Sequence, residues 1–188
     1  MDQKTRQEKE RHTWRRLATS YDERTLATYQ RAHELSIEKA VRVVSGEDDV
    51  LEIGCGTGIV TLGVTPYARR VVGTDISPEM ITVAQAKAER EGVTNVAFRV
   101  GDGYHHPDAD GTFDVVLLFN LLHVVKEQES ILWKARRLLK PGGFYGKRHG
   151  LLCRAGPAAC PDAPGHSTDD EAGWGHSLCP VLSQTGPA

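Results

Sequence analysis

The chain has 188 residues, 26% of them charged and 39% hydrophobic, with a formal net charge of −2. That length suits one domain with a sizeable core. The composition speaks against a wholly disordered or membrane-embedded chain, and the near-neutral charge gives no general pull toward nucleic acid or anionic lipid.

Residues 1–45 have the pattern of helices. Trp14, Leu17, Ala18 and Tyr21 fall at i, i+3, i+4 and i+7 and make one face. A second stretch, 26–44, repeats the period with Leu35, Ile37, Ala40, Val41 and Val44. The N-terminal basic residues are offset by Asp2, Glu8 and Glu10, as on a solvated helix face. There is no signal-peptide core and no apolar run near the ~20 residues of a membrane helix, so a soluble, cytoplasmic protein is expected.

From Val50 the rhythm changes. "VLEI" (50–53) predicts a strand, and 59–68 a helix weakened by Gly63 and Pro66. "RVVGTD" (70–75) predicts a second strand. Residues 77–92 predict the clearest helix, with Ser77 as cap, Pro78 at the first helical position and Gly92 at the stop. Residues 95–102 and 113–122 predict a third and a fourth strand, the latter apolar on both faces, as a central strand is. Residues 126–139 predict a last helix, closed by "KPGG". Strands alternating with helices imply βαβ units and a parallel sheet, an α/β fold.

From 146 to 188 the pattern fails. Gly and Pro are frequent, apolar residues sparse, and no period is visible, as in a disordered or atypical tail. Cys153, Cys160 and Cys179 lie in it with several histidines, at spacings that match no zinc module, so no metal site is expected.

The first strand runs into "GCGTG", with glycines at Gly54, Gly56 and Gly58. Such a loop lets the backbone turn tightly and approach a ligand, and the following helix start adds free N–H groups. The dinucleotide fingerprint spaces its glycines 1, 3 and 6. Here they stand 1, 3 and 5, which speaks for a ligand without a pyrophosphate. Asp75 ends the second strand, where a carboxylate can accept from both ribose hydroxyls. Asp102 ends the third, where it can accept from an adenine amino group. Each alone is also an ordinary turn residue. Together, at consecutive strand ends, they mark the place where open α/β sheets bind ligands.

With these pieces the chain resembles the class I S-adenosylmethionine-dependent methyltransferases. The resemblance spans about residues 10–143 and rests on "WRRLATSYD", "VLEIGCGTG", "VVGTDIS", "GDG", "FDVVLLFNLLHVV" and "LLKPGGF". It implies a Rossmann-like, doubly wound parallel sheet with S-adenosylmethionine as cofactor. Gly54, Gly56 and Gly58 would pass under its methionine part and Asp75 would hold the ribose. Ile76 and Met80 would pack on adenine, Asp102 would bind its amino group, and Asn120 would face the methionine end. Glu52 would be a polar partner below the loop. Tyr21 and an N-terminal helical lid (1–49) would close over an α/β domain (50–145). His123, near the same mouth, is the candidate to orient a substrate or take a proton. The acceptor would be a small molecule.

The family fold ends in an antiparallel strand pair, and nothing in 146–188 matches it. Without a proper fifth strand, the fourth would become an exposed, self-associating edge. A second reading is therefore a non-catalytic S-adenosylmethionine-binding remnant. A third, a nicotinamide-dependent oxidoreductase, is disfavoured by the glycine spacing.

Overall fold

The computed structural model describes residues 8, 11–15, 17–147 and 151–154, with the side chains of 19, 24, 26, 27, 147 and 151–154 left out. The tail residues 148–150 and 155–188, with Cys160 and Cys179, lie outside the described residues.

A 3-10 turn, Ala18–Ser20, leads into α1 (Tyr21–Ala40), which is kinked at Tyr29. Then follow β1 (Asp49–Ile53), α2 (Ile59–Val64), β2 (Arg70–Asp75), α3 (Pro78–Glu91), β3 (Val96–Val100), β4 (Phe113–Leu118), α4 (Gln128–Leu138), β5 (Leu139–Lys147) and β6 (Leu151–Arg154). The six strands form one sheet in the order β3-β2-β1-β4-β5-β6. The first five are parallel and β6 is antiparallel to β5. The α/β expectation is met, with the strand order reversing beside β1.

Strand alternation sorts the core onto two faces. Leu51, Ile53, Val116 and Leu118 point to α4, where Ile131, Ala135 and Leu138 are buried. Val50, Val115 and Leu117 point the other way, onto Val60 and Val64 of α2 and Ala40 of α1. α3 lays Ile81, Ala84 and Ala88 on Phe98 of β3. Its limits follow the sequence signals: the Ser77 hydroxyl accepts from the Met80 amide at 3.3 Å, and Gly92 is left-handed at φ +66°. Leu35, which the helical period assigned to the apolar face of α1, is 37% exposed.

Three expectations are corrected. The 113–122 strand ends at Leu118, and the chain turns at Asn120. The fifth strand exists, and β4 is not an edge but lies buried between β1 and β5. The sheet also passes the expected boundary at 145: β5 runs to Lys147, and β6 pairs Cys153 with Tyr145. Among the described residues this is a single antiparallel strand, not a pair. The sheet edges are β3 and β6. Among the described residues no helix is long and apolar enough to cross a membrane.

Candidate functional site

The site begins where β1 stops. The Gly54 and Cys55 amides both donate to the Thr74 carbonyl, at 2.7 and 2.9 Å, and so fold the chain over the end of β2. Gly54, Gly56 and Gly58 all have positive φ, at +75°, +53° and +79°, a conformation that side chains oppose. They differ in surroundings. A Cβ on Gly56 would meet nothing within 4 Å, whereas one on Gly58 would lie 2.9 Å from Phe98 Cζ and 3.1 Å from Ala84 Cβ. Gly56 leaves open space at the ligand side, and Gly58 lets the loop pack on α3 and β3.

Asp75 joins the loop to the next helix. Its Oδ2 accepts from the Gly56 amide and its Oδ1 from the Ser77 amide, both at 2.9 Å. Each oxygen has a second lone pair to offer. Burial pushes its carboxyl above the ordinary range, and the backbone donors pull it back. Glu52 is 2% exposed and accepts from the Thr61 hydroxyl of α2. Burial pushes its carboxyl up to about 8, with the nearby Asp75 adding to the shift and Thr61 opposing it. Glu52 is therefore mostly neutral at pH 7. Burial, with the same two carboxyls, pushes the Cys55 thiol up, so it is no thiolate nucleophile.

At the end of β3, Asp102 Oδ1 accepts from the Tyr104 and His105 amides at 2.8 and 2.6 Å. Asp102 thus fills the turn role that the sequence also allowed, while bordering the cleft. Asn120 is the one non-glycine with positive φ among the described residues, at 56°. Its side group stands at the mouth of β4.

The N-terminal segment covers these ends. The Trp14 and Tyr21 rings meet edge to face, 6.3 Å apart. Asp22 accepts from the Thr57 hydroxyl at 2.5 Å and from Lys87 Nζ at 2.8 Å, which ties α1 to the glycine loop and to α3.

These elements enclose one cleft of about 990 Å³, counting its open mouth. Tyr21, Glu52, Gly54, Gly56 and Asp75 line it, as do Ile76, Met80, Asp102 and Asn120. Gly58 and the exposed His123 do not. The sequence reading missed His33, Tyr104, Phe119 and Leu121 on its wall. His33 had one usable signal: it follows Asp22 by eleven residues, three helical turns, and so shares its face.

A parallel sheet whose strand ends place a glycine loop and two separated carboxylates around one cleft has the layout in which open α/β sheets bind ligands. The family described as a methyltransferase domain matches residues 50–143, half of the chain. The demethylmenaquinone methyltransferase of Tropheryma whipplei is 35% identical over 136 residues, 71% of this chain and 55% of that protein. The crystal structure of YcgJ from Bacillus subtilis is similar with a TM-score of 0.59 and 29% identity, over 63% of this chain and 50% of that one. Haemonchus contortus phosphoethanolamine N-methyltransferase 1, solved with phosphoethanolamine and S-adenosylhomocysteine, shares the fold with a TM-score of 0.68 at 22% identity, over 87% of this chain and 38% of that one. The chain belongs to the class I S-adenosylmethionine-dependent methyltransferase family. It spans about half the length of the curated relatives it matches.

Proposed function

We propose that this chain binds S-adenosylmethionine in the cleft and transfers its methyl group to a small-molecule acceptor. The observation that carries the reading is the Gly56–Asp75 junction: a carboxylate fixed by two backbone amides at 2.9 Å, with lone pairs to spare, beside a glycine with open space around it. The residues fit the cofactor. Asp75 would accept from the ribose hydroxyls, Ile76 and Met80 would flank the adenine, and Asp102 would meet its amino group. Gly54, Gly56 and Asn120 would border the methionine end.

When bound, the cofactor supplies a methyl group already activated by a sulfonium centre. The chain's own contribution is to bind, orient and exclude water. Residues 1–49 act as the lid: Trp14 and Tyr21 stand over the strand ends, and Asp22 pins them to the loop through Thr57. Neutral Glu52 hydrogen-bonds below the loop without adding a charge next to Asp75. His123 does not line the cleft, so no proton transfer is assigned to it.

The test is calorimetric titration of the full chain with S-adenosylhomocysteine, beside Asp75→Ala. Binding that the variant loses by tenfold or more supports the reading. No binding by a folded wild-type sample refutes it. Binding without transfer to any offered acceptor would support the remnant reading.

A further inference from the structure

The cleft is rich in carboxyls and poor in cations. Glu52, Asp75 and Asp102 line it, and among the described residues on its wall there is no Lys and no Arg. The amino-acid end of the proposed cofactor nevertheless carries a carboxylate, which needs donors wherever it rests. One side chain on the wall has a basic nitrogen, and that is His33.

His33 is 7% exposed, on the inner face of α1. Its Nδ1 is buried with no hydrogen-bond partner. His33 lines the cleft, and its Nε2, unlike Nδ1, is not an orphaned buried atom. Burial decides the proton's place. An orphaned buried N–H is costlier and rarer than an orphaned lone pair. The favoured neutral tautomer leaves Nδ1 bare and puts the hydrogen on Nε2. Burial also lowers the imidazole's pKa, against Asp22 on its own helix, which raises it, while Lys87 of α3 lowers it further. His33 thus brings a neutral N–H donor to the wall of the cleft.

Resting on the cofactor reading above, we infer that His33 donates through Nε2 to the carboxylate at the amino-acid end of the ligand in this cleft. It would select a nucleoside carrying an amino acid over one that does not, at a place where the Gly54, Cys55, Gly56 and Gly58 amides are already bonded within the protein. The lid helix α1 would then close on a ligand with that carboxylate and less firmly on one without it.

The experiment compares two probes on the full-length chain. S-adenosylhomocysteine has the amino-acid end, and 5′-methylthioadenosine has the same nucleoside thioether without it. His33→Leu removes the donor, and His33→Gln returns an N–H near the place of Nε2. Calorimetry should show His33→Leu binding S-adenosylhomocysteine about tenfold more weakly, with 5′-methylthioadenosine unchanged within about twofold. His33→Gln should recover most of the loss. Equal binding of S-adenosylhomocysteine by wild type and His33→Leu overturns the inference. So does an equal loss for both probes, which would make His33 a packing residue of the lid. Wild-type protein that binds neither probe refutes the cofactor reading itself, a separate result, because Asp75→Ala then has nothing to lose.

Discussion

Glu52→Gln should stabilise the protein, and only above acidic pH. Glu52 is 2% exposed, on the cleft wall beside Thr61 of α2, and its carboxyl is pushed from an ordinary 4.5 to about 8. In the unfolded chain it ionises near 4.5. Folding therefore takes up a proton at neutral pH, and stability is lost as pH rises from 4.5 to 8. Each unit in that interval costs about 1.4 kcal/mol, so the carboxyl withholds about 3 kcal/mol at pH 7 and less than about 1 kcal/mol at pH 5. Gln has the same shape, no charge to lose and an amide that can still meet Thr61. Its own burial takes back part of the gain, which makes 3 kcal/mol an upper bound. For a chain of this size that is a rise of up to roughly 10 °C in Tm. Urea melts of both proteins at pH 5, 6, 7 and 8 measure it. The curves should converge at pH 5 and separate steadily to pH 8. A constant difference between the two proteins across the series, or a less stable variant at pH 7, would refute the argument that burial holds this carboxyl neutral.

Glycine substitutions should separate the two roles in the loop. Gly58→Ala adds left-handed strain to a Cβ only 2.9 Å from Phe98, and should cost about 2–3 kcal/mol in urea melts; Gly56→Ala carries strain alone, about 1–2 kcal/mol, because its surroundings are open. Acid should act through the buried histidines, in the opposite sense to Glu52. His106 is 6% exposed, edge-on to Phe113, and burial holds its pKa below 6.5 despite Asp108 at 3.2 Å. Its protonation on unfolding removes stability as pH falls below 6.5, and His106→Gln should flatten that limb of the stability–pH curve. Asp22→Ala frees α1 from both Thr57 and Lys87, so protease should cut the lid faster, while β1–β5 keep their amide-exchange protection; unchanged cleavage would show that the clamp is not what holds the lid.

Most of the sheet was legible because its signals are local. Ser77, Pro78 and Gly92 mark both ends of α3, and alternation or an apolar run marks each of the first four strands. The places of Tyr21, Asp75 and Asp102 around one cleft followed from strand-end logic plus the family pattern. What was hidden depends on distant partners. "KPGG" has the composition of a stop, and at that point the pairing does break: β4 pairs Phe113 with Leu139, then Val115 with Phe144, so 140–143 bulge out before the strand resumes. The bulge has its own reasons. Lys140 Nζ donates to Asp114 Oδ2 at 2.7 Å, the same oxygen that takes the Asp49 amide at 2.9 Å. A Cβ on Gly143 would lie 2.6 Å from the Asp114 carbonyl oxygen, so glycine is needed there for strand contact, not for a turn. Punctuation residues announce that the regular ladder is interrupted; they do not say whether the strand continues beyond. His33 was hidden in the same way. Its spacing from Asp22 marks only a shared helix face; that it lines the cleft with Nδ1 buried and unpaired shows only in the folded chain.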